Sequence, residues 1–340
     1  MTKIRIGVAG LIHDHIWHVA SGFLTDPRCE VVAVADINPS LQKKALQDWS
    51  VSHIFDSYEE MMDKISPDAV LVYTDNASAA DIVEYAAERG IHALVEKPMA
   101  ATLEQADRML IAAKKHGITL MVNWPTAWSR AHQAALEIAK RGDIGDIYKV
   151  RYRAAHQGPK EIGCSPFFYE WLYDKKRNGA GALMDYCCYG ADYAAYLMGR
   201  PNAVVSVAGR FIKDYITVDD NAVIVAKYPH GLAICEASWT QYGFGYELMI
   251  NGSAGSVRSD GKRVYIADER QKEECEISAP ELPIERSSAA AYFLTCLIEH
   301  RPIEGLCNAV VSRNAQEILE AGILSAESGT AISLPVVSRR

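Results

Sequence analysis

Short runs of aliphatic and β-branched residues alternate with amphipathic stretches through the first third of the chain. The runs fall at Ile4 to Ala9, Val31 to Ala35, Ala69 to Tyr73, Ile91 to Val95 and Ile118 to Val122. Apolar strands of this length, separated by segments of helical period, predict a doubly wound parallel sheet covered on both faces. Helix ends are marked too. Ser57-x-x-Glu60 and Thr102-x-x-Gln105 have the form of capping boxes, and Gly90 and Gly117 stand where helix C-termini are expected.

Beyond Trp124-Pro125 the period changes. A helix is predicted from Ser129 to Arg141. A strand follows from Asp146 to His156, in which Ile147, Lys149, Arg151 and Arg153 alternate with Tyr148, Val150, Tyr152 and Ala154. Further strands are predicted at Ala203 to Ile212, Asn221 to Tyr228, Leu232 to Thr240 and Tyr246 to Ile250, with turn signals at Pro229-His230-Gly231 and Asn251-Gly252. Their close spacing favours antiparallel pairing. The expected fold class is therefore α/β, with an N-terminal doubly wound parallel-sheet (Rossmann) domain over residues 1–123. A C-terminal α+β domain with an open, mostly antiparallel sheet is expected over 124–340.

Composition narrows the partners. With 340 residues and an apolar fraction of 49% the chain can bury two cores. A formal net charge of −8, with no basic run and no stripe of Arg and aromatic residues, argues against nucleic acid or an anionic membrane. No apolar run reaches membrane-spanning length. The strand that begins at Ile4 leaves no room for a signal peptide. Eight scattered cysteines read as reduced thiols without disulfides, which implies a cytoplasmic location.

A strand ending at Gly10 and followed by a helix is where a dinucleotide pyrophosphate would rest on backbone N–H groups. Aligning Gly10 with the first glycine of Gly-x-Gly-x-x-Gly places Ile12 and His15 at the other two positions, and a side chain at Ile12 limits how closely backbone and pyrophosphate approach. The second strand ends in Asp36, whose carboxylate would accept both ribose hydroxyls and repel a 2′-phosphate, favouring NAD over NADP. His13-Asp14-His15 also has the His-x-His form with which barrel metallohydrolases begin. No other strand end offers the His or Asp ligands of such a barrel, and His53, His92, His116, His132, His230 and His300 are solitary. No metal is therefore expected, and the two histidines should line the cofactor. Cys187-Cys188, with Cys164 nearby, offers a second possible metal ligand set, but Cys187 on a tightly packed helix reads better as a small buried thiol.

Two segments carry the chemistry. Glu96-Lys97-Pro98 closes an apolar strand, and Gly181 to Asp192 places Asp185, Tyr189 and Asp192 at helical spacings on one face, as acid, phenol and acid. Together with Gly142-Asp143-Ile144-Gly145 and Ser325-Ala326-Glu327-Ser328-Gly329, they resemble the Gfo/Idh/MocA family of NAD(P)-dependent oxidoreductases. In that family Glu-Lys-Pro is followed by Gly-Gly-x-Leu-x-Asp-x-Gly-x-(His or Tyr)-x-x-Asp, and Tyr189 gives the Tyr version. The resemblance implies a homodimer or homotetramer formed through the C-terminal sheet. It implies Lys97 beneath the nicotinamide, Asp185 on the substrate hydroxyl or the lysine, and Tyr189 as general acid/base, with Lys97 itself as the alternative proton carrier. Thr74 and Asn76 match part of the family's Thr-Pro-Asn loop, with Asp75 in place of the proline. The cofactor set is thus Gly10, Leu11, Ile12, His13, Asp36, Thr74, Asn76, Glu96 and Lys97.

A tyrosine that titrates near ~10 acts as a base at neutral pH only beside a cation, which Lys97 could supply. Asn123, Trp124, Trp128, His156, Trp171, Asp185 and Tyr189 are expected to line the substrate site, joined by Lys160, Phe168, Tyr169 and Tyr173. Aromatic rings and hydroxyl-binding groups suit a sugar or cyclitol. The function expected is NAD-dependent oxidation or reduction of a secondary hydroxyl on a sugar, cyclitol or related polyol. Two rivals stand beside it. One is an NAD-dependent glycoside hydrolase or lyase working by oxidation and elimination. The other is a non-catalytic nucleotide- or sugar-binding regulatory protein, which the eroded glycine motif favours.

Overall fold

The computed structural model describes residues 3–336; Met1, Thr2 and residues 337–340, and with them the outer ends of both expected domains, lie outside the described residues. The chain first builds β1 (Ile4–Ala9), α1 (Ile16–Thr25), β2 (Cys29–Ala35), α2 (Pro39–Trp49), β3 (His53–Phe55) and α3 (Tyr58–Ile65). It continues with β4 (Ala69–Val72), α4 (Ala79–Glu88), β5 (His92–Glu96), α5 (Leu103–His116) and β6 (Leu120–Asn123). The six strands are parallel, in the order β3-β2-β1-β4-β5-β6. Strands β4 and β6 are buried at every position, as a sheet covered on both faces requires. β3, three residues long, has no apolar run long enough to announce it. The capping box at Thr102 forms in full, whereas Ser57 accepts the Glu60 N–H and turns its own hydroxyl to Glu59. Gly90 and Gly117 take the left-handed conformation expected of them.

The second half comprises α6 (Arg130–Arg141), β7 (Ile147–Ala155), α7 (Pro166–Leu172), α8 (Lys175–Asn178), α9 (Ala182–Met198), β8 (Ala203–Gly209), β9 (Asn221–Tyr228) and β10 (Gly231–Ser238). Then come β11 (Gly245–Gly252), β12 (Gly255–Ser259), β13 (Val264–Asp268), β14 (Cys275–Ile277), α10 (Ala289–Ile298), α11 (Ala309–Ser328) and β15 (Ile332–Ser333). Nine strands form one sheet in the order β14-β13-β12-β11-β7-β10-β9-β8-β15, antiparallel except where β7 meets β10. β8 ends at Gly209, short of the predicted Ile212. The Asp220 carboxylate accepts the N–H groups of Phe211, Ile212 and Lys213 at 2.8–2.9 Å and curls the chain off the sheet. The edge strands β12 to β14 are mostly half-buried, and their mixed polarity hid them from the hydrophobic pattern.

Helix α9 lies on one face of this sheet and is buried along its first fourteen residues. A Cβ at Gly190 would sit 2.8 Å from the Cys235 sulfur, so the missing side chain lets α9 lie directly on β10. Asp219 caps the helix start from outside it, accepting the N–H groups of Gly181 and Leu183 at 2.7 Å each. Helix α11 packs on α9 and also returns to the first sheet: Arg313 pairs with Asp107 on α5 (2.6 Å) and Ser312 accepts the Trp124 indole N–H (3.0 Å). On the opposite face of the nine-stranded sheet, Val205, Val207, Val223 and Val225 are exposed. Among the described residues no helix is long and apolar enough to cross a membrane.

Candidate active site

β5 delivers Glu96 and Lys97 to the C-terminal edge of the first sheet, and α9 brings Asp185 and Tyr189 to meet them from the second half. Lys97 Nζ donates to Asp185 Oδ1 at 2.7 Å and to the Asp185 carbonyl at 3.3 Å, with both side chains buried. The other oxygen of Asp185 accepts the Trp239 indole N–H at 3.2 Å. Burial alone would raise the Asp185 carboxyl. The Lys97 ammonium, His156 and the Trp239 hydrogen bond more than offset it and hold the group below its ordinary value. Burial would lower Lys97, but Asp185, helped by Tyr189 and Cys188, keeps it well above the usual lysine range. The pair is thus an ammonium and a carboxylate.

Lys97 Nζ stands 5.0 Å from the centre of the Tyr189 ring. Burial nonetheless dominates at Tyr189, and its pKa lies well above that of a free tyrosine even though Lys97 pulls it down. At neutral pH Tyr189 therefore rests as a phenol, the acid form of the expected acid/base pair. Asp192, the second acid of the predicted face, is absent from the cavity. It is buried, both its oxygens lack hydrogen-bond partners among the described residues, and burial raises its pKa well above the usual carboxylate value.

A cavity of about 840 Å³ opens at this centre, bounded by Lys97, Asn123, Trp128, His156, Asp185 and Tyr189, with Phe168 and His15 on its wall. Trp124 and Trp171 were expected there and are instead core residues, each about 1% exposed. Trp124 packs edge-on against Tyr189 and bonds Ser312, while Trp171 backs His13. Lys160, Tyr169 and Tyr173 also lie off the cavity wall. Burial lowers His156 to about 4, so it is neutral, and its Nδ1 accepts the Gly158 N–H at 2.8 Å. The sequence reading missed Tyr152, Tyr186, Tyr246 and His132 on the wall, and Trp239 behind Asp185. Tyr152 stood on the alternating face of a predicted strand, a pattern that reads equally well as packing.

The loops for a dinucleotide lie where β1 and β4 diverge, the point at which the strand order reverses. At Gly10 φ is +86° and a Cβ would come 2.5 Å from Thr74 Cγ2 and 2.9 Å from the Tyr73 carbonyl, so only glycine lets the two loops touch. Asp36 accepts the Leu11 N–H (2.6 Å) and both the backbone and side-chain N–H groups of Asn38 (2.8 and 2.7 Å). A carboxylate offers about four acceptor sites, so these three bonds leave about one free. Gly10 and Asp36 fit a dinucleotide. Leu11 is fully buried with its N–H taken, and the Asn76 amide turns away to Asn178 (2.8 Å). Thr74 gives its hydroxyl to the Asp75 carbonyl, and Ile12 packs partly into the core. His13 is buried against Phe168 and Trp171. Burial, followed by the charges of His15 and Lys97, lowers its pKa well below the usual histidine value. His15 Nδ1 lies 3.0 Å from Glu96 Oε1, and Asn123 Nδ2 donates to Glu96 Oε2 at 2.7 Å.

Residues 4–124 match the sequence model of an oxidoreductase family with an NAD-binding Rossmann fold, and residues 132–258 match the GFO/IDH/MocA C-terminal domain. Among characterised proteins, the chain is 24% identical over 276 residues to myo-inositol 2-dehydrogenase of Thermotoga maritima, covering 78% of this chain and 79% of that one. It is 25% identical over 262 residues to the scyllo-inositol 2-dehydrogenase (NAD(+)) of Bacillus subtilis, covering 75% and 73%. Levoglucosan dehydrogenase, solved with NADH and levoglucosan, shares the fold with a TM-score of 0.84 at 22% identity, covering 98% of this chain and 100% of that one.

Proposed function

The chain belongs to the GFO/IDH/MocA family of NAD-binding oxidoreductases, and on that premise we propose that it oxidises or reduces a secondary hydroxyl of a sugar, cyclitol or related polyol. The observation that carries this reading is the buried Lys97–Asp185 ion pair beside Tyr189, at the floor of a cavity between the two halves. Bound NAD would supply the hydride acceptor or donor. Lys97 and the neutral Tyr189 phenol are the two donors to a substrate oxygen, and the Asp185 carboxylate is the base of the resting site. On alcohol oxidation the hydroxyl proton passes to Lys97 Nζ as Lys97 hands one of its own to Asp185 Oδ1; carbonyl reduction runs the same relay backward.

Tyr152, Tyr186, Tyr246 and Trp128 give the cavity flat apolar walls suited to the C–H faces of a ring, while Asn123 and His156 bring polar groups for its hydroxyls. The acceptor capacity left on Asp36 supports NAD over NADP. The working halves divide after Asn123, where the first sheet ends. A second copy of the chain on the apolar sheet face around Val205, Val207, Val223 and Val225 makes the homo-oligomer.

The test begins with calorimetric titration of NAD and NADP, followed by a panel of polyols and glycosides assayed by nicotinamide absorbance. Turnover that is lost in Lys97→Met and Tyr189→Phe supports the assignment. Turnover retained in both variants removes these residues from the chemistry.

A further inference from the structure

Three side chains from two strand ends converge beside the cavity, and we propose that His13, His15 and Glu96 form a binding site for a divalent metal ion of the zinc class. Each offers a ligand atom within 4.8 Å of the other two. The nearest pair, His15 Nδ1 and Glu96 Oε1, stands 3.0 Å apart. Ligands at about 2.0–2.1 Å around a tetrahedral zinc lie about 3.4 Å from one another, so this pair is already near chelating separation. The His13 ligand atom lies within 4.8 Å of both, so reaching ~3.4 Å asks for a shift of no more than about 1.4 Å. Two imidazoles and one carboxylate suit zinc, copper, nickel or iron, whereas magnesium and calcium prefer oxygen ligands throughout.

The surroundings orient the ligands. Asn123 donates to the second Glu96 oxygen at 2.7 Å and itself accepts the Trp128 indole N–H at 2.9 Å, an outer hydrogen-bond layer of the kind that aims a metal-binding carboxylate. The His13 ring is wedged against Phe168, with ring centres 4.5 Å apart, and its backbone N–H is tied to the Tyr73 carbonyl at 3.2 Å. Lys97, next in the chain to Glu96, is neutralised by Asp185, so the Glu96 charge is left for the ion. Of the three ligands only His15 lines the cavity. A bound ion would therefore keep open positions on that side for water or for an oxygen of a cavity ligand. This inference uses none of the roles given to Asp185 or Tyr189, but His13 and Glu96 also belong to the expected cofactor set, so the ion is tested in protein freed of NAD.

The experiment uses tag-free protein stripped with a chelator and titrated with Co²⁺. The expected result is uptake of one equivalent, with visible d–d bands that Zn²⁺ abolishes by replacement. His13→Gln, His15→Ala and Glu96→Gln should each lose that uptake, while His18→Ala on the first turn of α1 keeps it. Because a buried histidine variant can fail to fold, the unmutated protein is also labelled with ¹⁵N-histidine. Zn²⁺ should then shift two of the ten imidazoles and leave the rest in place. Uptake that survives in any of the three variants, shifts spread over other imidazoles, or an absence of Co²⁺ bands in the unmutated protein overturns the proposal.

Discussion

Removing either partner of the Lys97–Asp185 pair should cost at least as much stability as removing both. At 2.7 Å and an effective dielectric constant of about 20, the attraction is about 6 kcal/mol, which offsets the desolvation of two buried ions. Lys97→Met leaves a buried carboxylate with the Trp239 N–H as its remaining hydrogen bond, and Asp185→Asn leaves a buried ammonium without its counter-ion. Each single variant should lose about 3–5 kcal/mol. In the double variant the methionine fills the lysine's volume and the asparagine oxygen still accepts from Trp239. Its loss should be no greater than that of either single variant, giving a coupling energy of at least about 3 kcal/mol. Urea unfolding of the four proteins at neutral pH measures this directly. The Asp185 carboxyl is depressed in the folded protein, so its contribution is present above the unfolded value of ~3.9 and is lost as pH falls through the lower folded value. The gap between wild type and Lys97→Met should therefore narrow below about pH 4. A double variant that loses the sum of the two single losses would refute the ion pair and, with it, the proton relay.

Asp192 gives the opposite pH signature: burial raises its folded pKa, so the unfolded chain releases the proton first. Stability should then fall by about 1.4 kcal/mol per pH unit as pH rises above ~4, until the folded carboxyl ionises. Asp192→Asn should remove that slope in urea midpoints taken across the range, and an unchanged slope would assign it to another group. Gly190→Ala should destabilise by about 1–3 kcal/mol, because its Cβ would meet both the Cβ and the sulfur of Cys235 at 2.8 Å; a double-mutant cycle with Cys235→Gly, which removes both atoms, should give a double loss smaller than the sum, and additive losses deny the clash. Tyr189→Phe should lower kcat by about 10²-fold or more while leaving the unfolding midpoint nearly unchanged. A loss smaller than tenfold would mean that the phenol does not hydrogen-bond the reacting oxygen in the transition state.

Much of the first sheet was legible because its strands are apolar on both faces and its helices carry their own caps; Thr102 and Gly117 mark α5 within a residue. The second sheet was legible where one face is buried, as in β7 and β9, and illegible at β12 to β14, where little burial enforces alternation. Lys97, Asp185 and Tyr189 could be singled out by residue type and spacing. Their protonation states could not, because those follow from burial and from Trp239, more than fifty residues away in the chain. Trp124, Trp128 and Trp171 look alike in sequence, yet only Trp128 reaches the cavity. The cluster of His13, His15 and Glu96 was not legible because Glu96 lies 81 residues beyond His15 and stands in a Glu-Lys-Pro segment that reads as part of the cofactor site.

The return of α11 to the first sheet has a consequence for synthesis. Asp107 and Trp124 receive their partners Arg313 and Ser312 from a helix that starts roughly 190 residues after β6 ends, so at about 5–20 residues per second the first half waits some 10–40 s on the ribosome. During that interval it carries an uncovered flank at α5 and Trp124. Nascent chains stopped before residue 309 should therefore engage holding chaperones and be cut by proteases near α5, although every strand of the first sheet has already been made.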